Sequence, residues 1–323
     1  MISKIRTLFF GLAAVLFSGA AMAAPVDPLA DPSFEKIALW PGLPPGSVGA
    51  TAKARIVERS QDVSVIRDRY IEQVERPDMV VFKPKTPNGT SLLMAPGGGY
   101  IRVVMDKEGY ETAERFAAAG VTVYVMTYRL PGDHWGAGPD VVIQDMQRAL
   151  RLVRQRAMKD GLDPKKVGVI GFSAGGHAAG SLTFRFDEAV YKAVDAADQL
   201  SARPDFSILM YPVATMAEPF VHAGSRQQLL GAEQTSRMIA KYSLEKEVRP
   251  DAPPVIFIHA ADDASVPVEN SLQVFAALKA AKVPAEMHIY EEGGHGFGLR
   301  AVHGKPVAAW PDAVLSWMKR KGF

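Results

Sequence analysis

Cysteine is absent from this 323-residue sequence. Disulfides, a thiolate nucleophile and a cysteine-held metal are thereby excluded, and any nucleophilic side chain must attack through oxygen. An excess of one charge is missing too: 37 Lys and Arg stand against 35 Asp and Glu, for a formal net charge of +2. Nothing in that balance points to a nucleic-acid partner. Internal repeats and low-complexity tracts are also lacking.

Long apolar runs are scarce. The stretch 8–20 is broken by Gly11, Ser18 and Gly19 and is short against the roughly 20 residues of a membrane span. It follows Lys4 and Arg6 and ends in Ala21-Met22-Ala23, so residues 1–23 read as a signal peptide cleaved after Ala23. The mature chain is then expected to be periplasmic or secreted, with no membrane span. A core large enough to hold such a protein without disulfides fits the 48% hydrophobic and 22% charged composition.

What is present reads as an arm and one domain. Residues 24–60 include Trp40-Pro41-Gly42-Leu43-Pro44-Pro45-Gly46, show little periodicity and predict an extended arm. In 61–323, apolar runs at 79–82, 92–95, 121–127, 167–171, 206–211, 255–259 and 286–290 lack in/out alternation. They alternate with helical patterns at 107–119, 141–158, 174–184, 268–281 and 307–319. This rhythm predicts an α/β fold with a mostly parallel central sheet and helices on both faces. Residues 214–249 break the rhythm and read as a small helical insertion over the strand ends, either a lid or a plain surface excursion.

The chemistry starts at Gly171-Phe172-Ser173-Ala174-Gly175, which follows the strand run Val167-Gly168-Val169-Ile170 and opens a helix. A serine on such a turn has strained backbone angles, and small neighbours let strand and helix pass closely. Ser173 is the candidate nucleophile. The first helical amides are unpaired, so the Ala174 N–H is a candidate oxyanion donor.

A serine hydroxyl needs a base, and neutral imidazole suits the task near neutral pH. Of seven histidines, His295 sits in Gly293-Gly294-His295-Gly296, a loop after the last predicted strand, where a Ser, acid, His order requires the base. His303 follows the same loop and is the competitor. His259 and His288 lie in strands, His134 and His222 in connections before the acid, and His177 reads as a packing or capping group. The carboxylate that orients the base is sought just past a strand, in Asp262-Asp263-Ala264-Ser265-Val266-Pro267. The spacing to Val266-Pro267 favours Asp263 and leaves Asp262 as a turn former. Upstream, Pro96-Gly97-Gly98-Gly99-Tyr100 follows a strand, and its bare glycine amides at Gly97 and Gly98 are the second set of oxyanion donors. No Lys-Ser/Thr follows these glycines and no dinucleotide spacing is present, so no phosphate loop, cofactor or metal is expected.

Together PGGGY, Tyr128-Arg129-Leu130, Asp145 with Arg148, GFSAGGH, HAADDASVPVENS and GGHGFGL resemble one family. It is the acetyl xylan esterase and feruloyl-esterase-like carbohydrate esterase branch of the α/β-hydrolases. The resemblance runs from about Asp78 to the C-terminus. It implies the α/β-hydrolase fold, a Ser173–His295–Asp263 triad with an oxyanion hole at Gly97, Gly98 and Ala174, and a small-molecule or oligosaccharide ester as substrate. It also implies that Arg129, Asp145 and Arg148 form one buried structural ion network. Tyr100 and Trp135 are candidate substrate contacts, the latter by stacking on a sugar. Two other readings stand beside it: a serine peptidase of the prolyl oligopeptidase type, and a binding protein that keeps the fold without turnover.

Overall fold

The computed structural model describes residues 27–323, so the signal-peptide expectation for residues 1–23 lies outside the described residues. Strands buried along their whole length need neighbours on both sides and cover on both faces. Five such strands lie side by side: β5 (Ser91–Ala95), β7 (Thr122–Met126), β8 (Val167–Phe172), β9 (Ser207–Met210) and β10 (Val255–Ala260). They form the centre of an eight-stranded sheet in the order β1-β4-β7-β5-β8-β9-β10-β11. The remaining members are β1 (Lys36–Ala38), β4 (Asp78–Phe82) and β11 (Ala285–Tyr290). From β7 to β11 all neighbours are parallel, while β4 and β1 close the other edge antiparallel.

Parallel neighbours need crossovers, and helices supply them. α1 (Glu111–Ala117) precedes β7, α2 (Val141–Lys159) precedes β8, α3 (Ser173–Phe184) follows it, α7 (Glu269–Ala280) precedes β11 and α8 (Trp310–Lys321) ends the chain. α1 packs with α8, and α2 with α3. In α2 the buried Val142, Met146, Ala149, Leu150, Val153 and Ala157 recur at helical spacing and form the face laid on the sheet. The expected mostly parallel, helix-covered sheet is present, with each expected strand within one residue of its observed ends.

Some elements were not foreseen. β2 (Arg55–Glu58), β3 (Arg69–Glu72) and β6 (Val103–Val104) make a separate three-stranded sheet. The expected helix at 107–119 begins instead as a π-helical turn, Met105–Tyr110, before α1. The N-terminal arm is not only a surface wrap: β1 joins the main sheet, and Leu39 and Trp40 are buried.

The expected single ion network is two sites joined through that arm. Arg129 and Asp145 form a fully buried pair at 2.7 Å, while Arg148 turns away to Asp195 and Asp198. Trp40 lies between them, its Nε1 donating to Asp145 at 2.8 Å and both guanidiniums facing its ring.

The insertion is helical, with α4 (Ala223–Leu230), α5 (Ser236–Lys241) and α6 (Leu244–Glu247). It leaves and returns at one place, where the Leu244 amide donates to the Ala214 carbonyl at 3.0 Å. Asn270 at the start of α7 anchors the exit, its Oδ1 accepting the amides of Ala214 and Thr215 at 2.9 and 3.1 Å.

Candidate active site

Ser173 stands where β8 ends and α3 begins, with φ at +52°. A non-glycine residue in that region costs about 1–3 kcal/mol and needs a surrounding structure that enforces it. The neighbours enforce it by proximity. A Cβ at Gly171 would lie 2.1 Å from the Gly175 carbonyl oxygen, and one at Gly175 would lie 2.2 Å from that of Ala95. Only glycine allows strand, turn and helix to pass this closely, and the turn that results lifts the serine hydroxyl off the sheet end.

Three loops at the strand ends bring the other expected groups to it. Ser173 Oγ lies 2.8 Å from His295 Nε2, and His295 Nδ1 lies 2.7 Å from Asp263 Oδ2. A carboxylate only accepts, so Nδ1 carries the proton and Nε2 is left to accept from the hydroxyl. Asp263 Oδ1 is held by the amides of Ser265 and Val266, each at 2.9 Å. A second imidazole, His259, approaches Asp263 at 3.3 Å while donating to the Val266 carbonyl at 3.0 Å. Burial by itself pushes the Asp263 carboxyl up, but the bonds from His259 and His295 outweigh it and hold the group well below the usual carboxylate range.

Asp262 does more than shape its own turn. Its Oδ1 accepts the amides of Gly293 and Gly294, at 2.9 and 2.7 Å, and so ties the His295 loop to the acid loop. His303, the competing base, is exposed and makes no hydrogen bond among the described residues. His177 packs as expected: its Nε2 donates to the Tyr242 carbonyl at 2.7 Å and its Nδ1 accepts from the Tyr100 hydroxyl at 2.7 Å. Burial pushes its pKa down to about 4, so it is neutral at pH 7.

The glycine loop corrects one expectation. The Gly97 amide is not available to an oxyanion, because it donates to Glu108 Oε2 at 2.7 Å. Gly97 is there for close approach instead: a Cβ would fall 2.7 Å from the Phe172 carbonyl oxygen and 2.9 Å from Ser173 Cβ. The amides of Gly98 and Ala174 have no acceptor among the described residues. Gly98 has φ at +136°, and a Cβ there would sit 2.2 Å from the Arg102 carbonyl oxygen.

Both expected substrate contacts are buried. Tyr100 is 1% exposed and spends its hydroxyl on His177. Trp135 is 5% exposed, with the Arg129 guanidinium 5.3 Å from the ring centroid, and it lines a cavity together with Gly132 and Gln228.

Residues that the sequence did not single out surround the serine. Tyr211, next after β9, meets the His295 ring edge to face at 5.2 Å between centroids, and its hydroxyl donates to Glu108 Oε1 at 3.0 Å. His222 caps α4, its Nδ1 accepting the Ser225 amide at 3.1 Å, which leaves the proton on Nε2. The segment around it spans the two sides of the site. Asn270 Nδ2 donates to the Phe220 carbonyl at 2.8 Å on the acid-loop side, and Ser225 Oγ lies 4.0 Å from a Cβ built at Gly99 on the other. Burial, then the charge of His295, lowers the His222 pKa and favours its neutral form. Along α4 lies a cavity of about 480 Å³ lined by Gly132, His134, Gln227, Gln228 and Glu233 among others. Among the described residues no group of three His, Cys, Asp or Glu converges to hold a metal, and no helix is long and apolar enough to cross a membrane.

The BD-FAE family matches residues 79–278. An acetylxylan esterase of Xylanibacter ruminicola is 34% identical over 226 residues, covering 68% of this chain and 44% of that protein. An endo-1,4-beta-xylanase B of Butyrivibrio fibrisolvens is 37% identical over 225 residues, covering 70% of this chain and 35% of that protein. The chain thus spans less than half the length of either relative. Among solved structures, an acetyl ester-xyloside bifunctional hydrolase from Caldicellulosiruptor lactoaceticus is 32% identical with a TM-score of 0.68, covering 90% of this chain and 97% of that one.

Proposed function

This chain belongs to the BD-FAE family and has the α/β-hydrolase fold, and from that premise we propose that it is a serine hydrolase of carboxylic esters. The observation that carries the proposal is the hydrogen-bonded line from Ser173 through His295 to Asp263, at 2.8 and 2.7 Å.

In the proposed reaction Nε2 of His295 takes the Ser173 proton as Oγ attacks the ester carbonyl carbon. The Asp263 carboxylate stabilises the imidazolium formed and fixes its ring. The tetrahedral oxyanion is held by the Gly98 and Ala174 amides, at the positive end of α3. The imidazolium then protonates the leaving alkoxide, and the acyl group stays on Oγ. Water enters, His295 removes its proton, and collapse of the second tetrahedral adduct frees the carboxylic acid and restores the serine.

The substrate proposed is a short acyl ester on a hemicellulosic saccharide, acetylated xylan fragments above all. The names of the aligned relatives support this. Residues 214–249 serve as the covering element in this reading, with the His222 Nε2–H presented to a substrate oxygen. The signal-peptide pattern of residues 1–23 supports a site of action outside the cytoplasm in this reading.

The test is turnover of p-nitrophenyl acetate and of acetylated xylooligosaccharides, with mass mapping of a fluorophosphonate adduct. Wild-type protein is expected to release acetate from both and to be labelled at Ser173, and Ser173→Ala to lose both properties. Release that persists unchanged in Ser173→Ala overturns the proposal.

A further inference from the structure

A carboxylate in a protein core is costly unless its oxygens are satisfied, and a space that only needs filling is filled more cheaply by an apolar side chain. Glu108 is 5% exposed and forms no ion pair among the described residues. Neither oxygen is idle. Oε2 accepts the Gly97 amide at 2.7 Å, and Oε1 accepts the Tyr211 hydroxyl at 3.0 Å.

Both partners lead to reacting groups. Gly97 stands so close to Ser173 that a Cβ on it would lie 2.9 Å from the serine Cβ, and the next amide along is that of Gly98. On the other side the Tyr211 oxygen accepts the Gly298 amide at 3.3 Å, in the loop that carries His295. The Tyr211 ring itself lies against His295, with centroids 5.2 Å apart, and against Phe297, at 4.5 Å. A Cβ at Gly296 would come within 3.7 Å of Glu108 Oε1, so the histidine loop runs directly over the carboxylate. The π-helical turn Met105–Tyr110 is what brings Glu108 under the site while Asp106, two residues earlier, faces Arg69 in the small sheet at 2.8 Å.

We infer that Glu108 is a positioning residue for ester hydrolysis: one carboxylate fixes the spacing between the loop that presents the oxyanion donor and the ring that removes the serine proton. The inference rests on the proposed esterase reading. The base must reach Ser173 while the Gly98 amide reaches the carbonyl oxygen, and the two loops share no other hydrogen-bonded bridge of this kind among the described residues. Misplacement by about 1 Å costs on the order of 100-fold in rate.

The experiment measures kcat and KM for p-nitrophenyl acetate in wild type, Glu108→Ala, Glu108→Gln and Tyr211→Phe, each checked for folding by circular dichroism and thermal melting. Glu108→Ala is expected to lower kcat about 100-fold with KM within about threefold of wild type. Glu108→Gln keeps an oxygen for the Gly97 amide and is expected to recover about tenfold of that loss. Tyr211→Phe keeps the ring against His295 but loses the hydroxyl bridge, and is expected to lower kcat about tenfold. If Glu108→Ala does not fold, the other two variants carry the test. A folded Glu108→Ala with wild-type kcat, or Gln and Phe variants that lower only the melting temperature, overturns the inference. Wild-type protein without ester turnover overturns the parent reading and this inference together, whereas active wild type matched by its Glu108 variants overturns the inference alone.

Discussion

Asp262 Oδ1 accepts the amide of Gly294 at 2.7 Å, one residue before His295. The adjacent carboxylate, Asp263, takes the imidazole itself at 2.7 Å. Two neighbouring acids therefore divide the work, one holding the loop and the other holding the ring.

Their substitutions should separate on that basis. Asp263→Asn is expected to lower kcat by about 10⁴-fold, because the tautomer and the imidazolium lose their partner. Asp262→Ala is expected to lower it only about tenfold, through a looser loop. Steady-state kinetics on both variants check this, and equal losses would count against the division.

Arg129 and Asp145 should matter to stability and not to chemistry. Removing one partner of a buried pair leaves the other charge stranded, so Arg129→Met is expected to cost about 3–5 kcal/mol. The kcat of the molecules that remain folded should be close to wild type. Denaturant unfolding and active-site titration with a fluorophosphonate give the two numbers.

His177 makes stability depend on pH. Its folded pKa, about 4, lies below the model-peptide value of 6.5. Between these values the unfolded chain binds a proton that the folded protein does not, so stability falls as pH drops through that window. The loss expected between pH 7 and 5 is about 2 kcal/mol. Urea midpoints across that range should show it, and His177→Gln should flatten the slope.

Trp135 packs against Arg129 and also lines the cavity along α4. Trp135→Ala is expected to lose roughly 3 kcal/mol of stability and the packing on Arg129. The KM for acetylated xylooligosaccharides should move less than about twofold. A large rise in KM with unchanged stability would identify Trp135 as a sugar platform.

The central strands were legible because burial on both faces leaves a compositional trace: Leu92-Leu93-Met94-Ala95 and Val255-Ile256-Phe257-Ile258 have no polar member to place outward. The serine turn was legible because its steric demands fall on adjacent residues, Gly171 and Gly175. β1 and β2 left no such trace, since Lys36, Arg55 and Glu58 are exposed and the strands are three and four residues long. The fate of the Gly97 amide was illegible for a different reason. A glycine loop says that backbone will come close to something, but its acceptor stands 11 residues on, delivered by a π-helical turn that a 3.6-residue period does not reveal. Arg148 likewise finds its acids far along the chain, at Asp195, 47 residues away, and at Asp198, around one short 3-10 turn. The burial of Trp135 was not legible because an aromatic among glycines reads as open, whereas Arg129, just past β7, packs on its ring.

The bond between Leu244 and Ala214 closes the excursion that carries α4 and α5 into a loop whose ends are fixed whatever lies between them. Loop closure grows costlier only slowly with length, by about 0.6 kcal/mol per doubling. Segments of other lengths, grafted between those two residues, would leave the sheet unstrained so long as they still offer the Tyr242 and Phe220 carbonyls to His177 and Asn270. The middle of the excursion is in that sense free to change length, while the residues that anchor it to α3 and α7 are not.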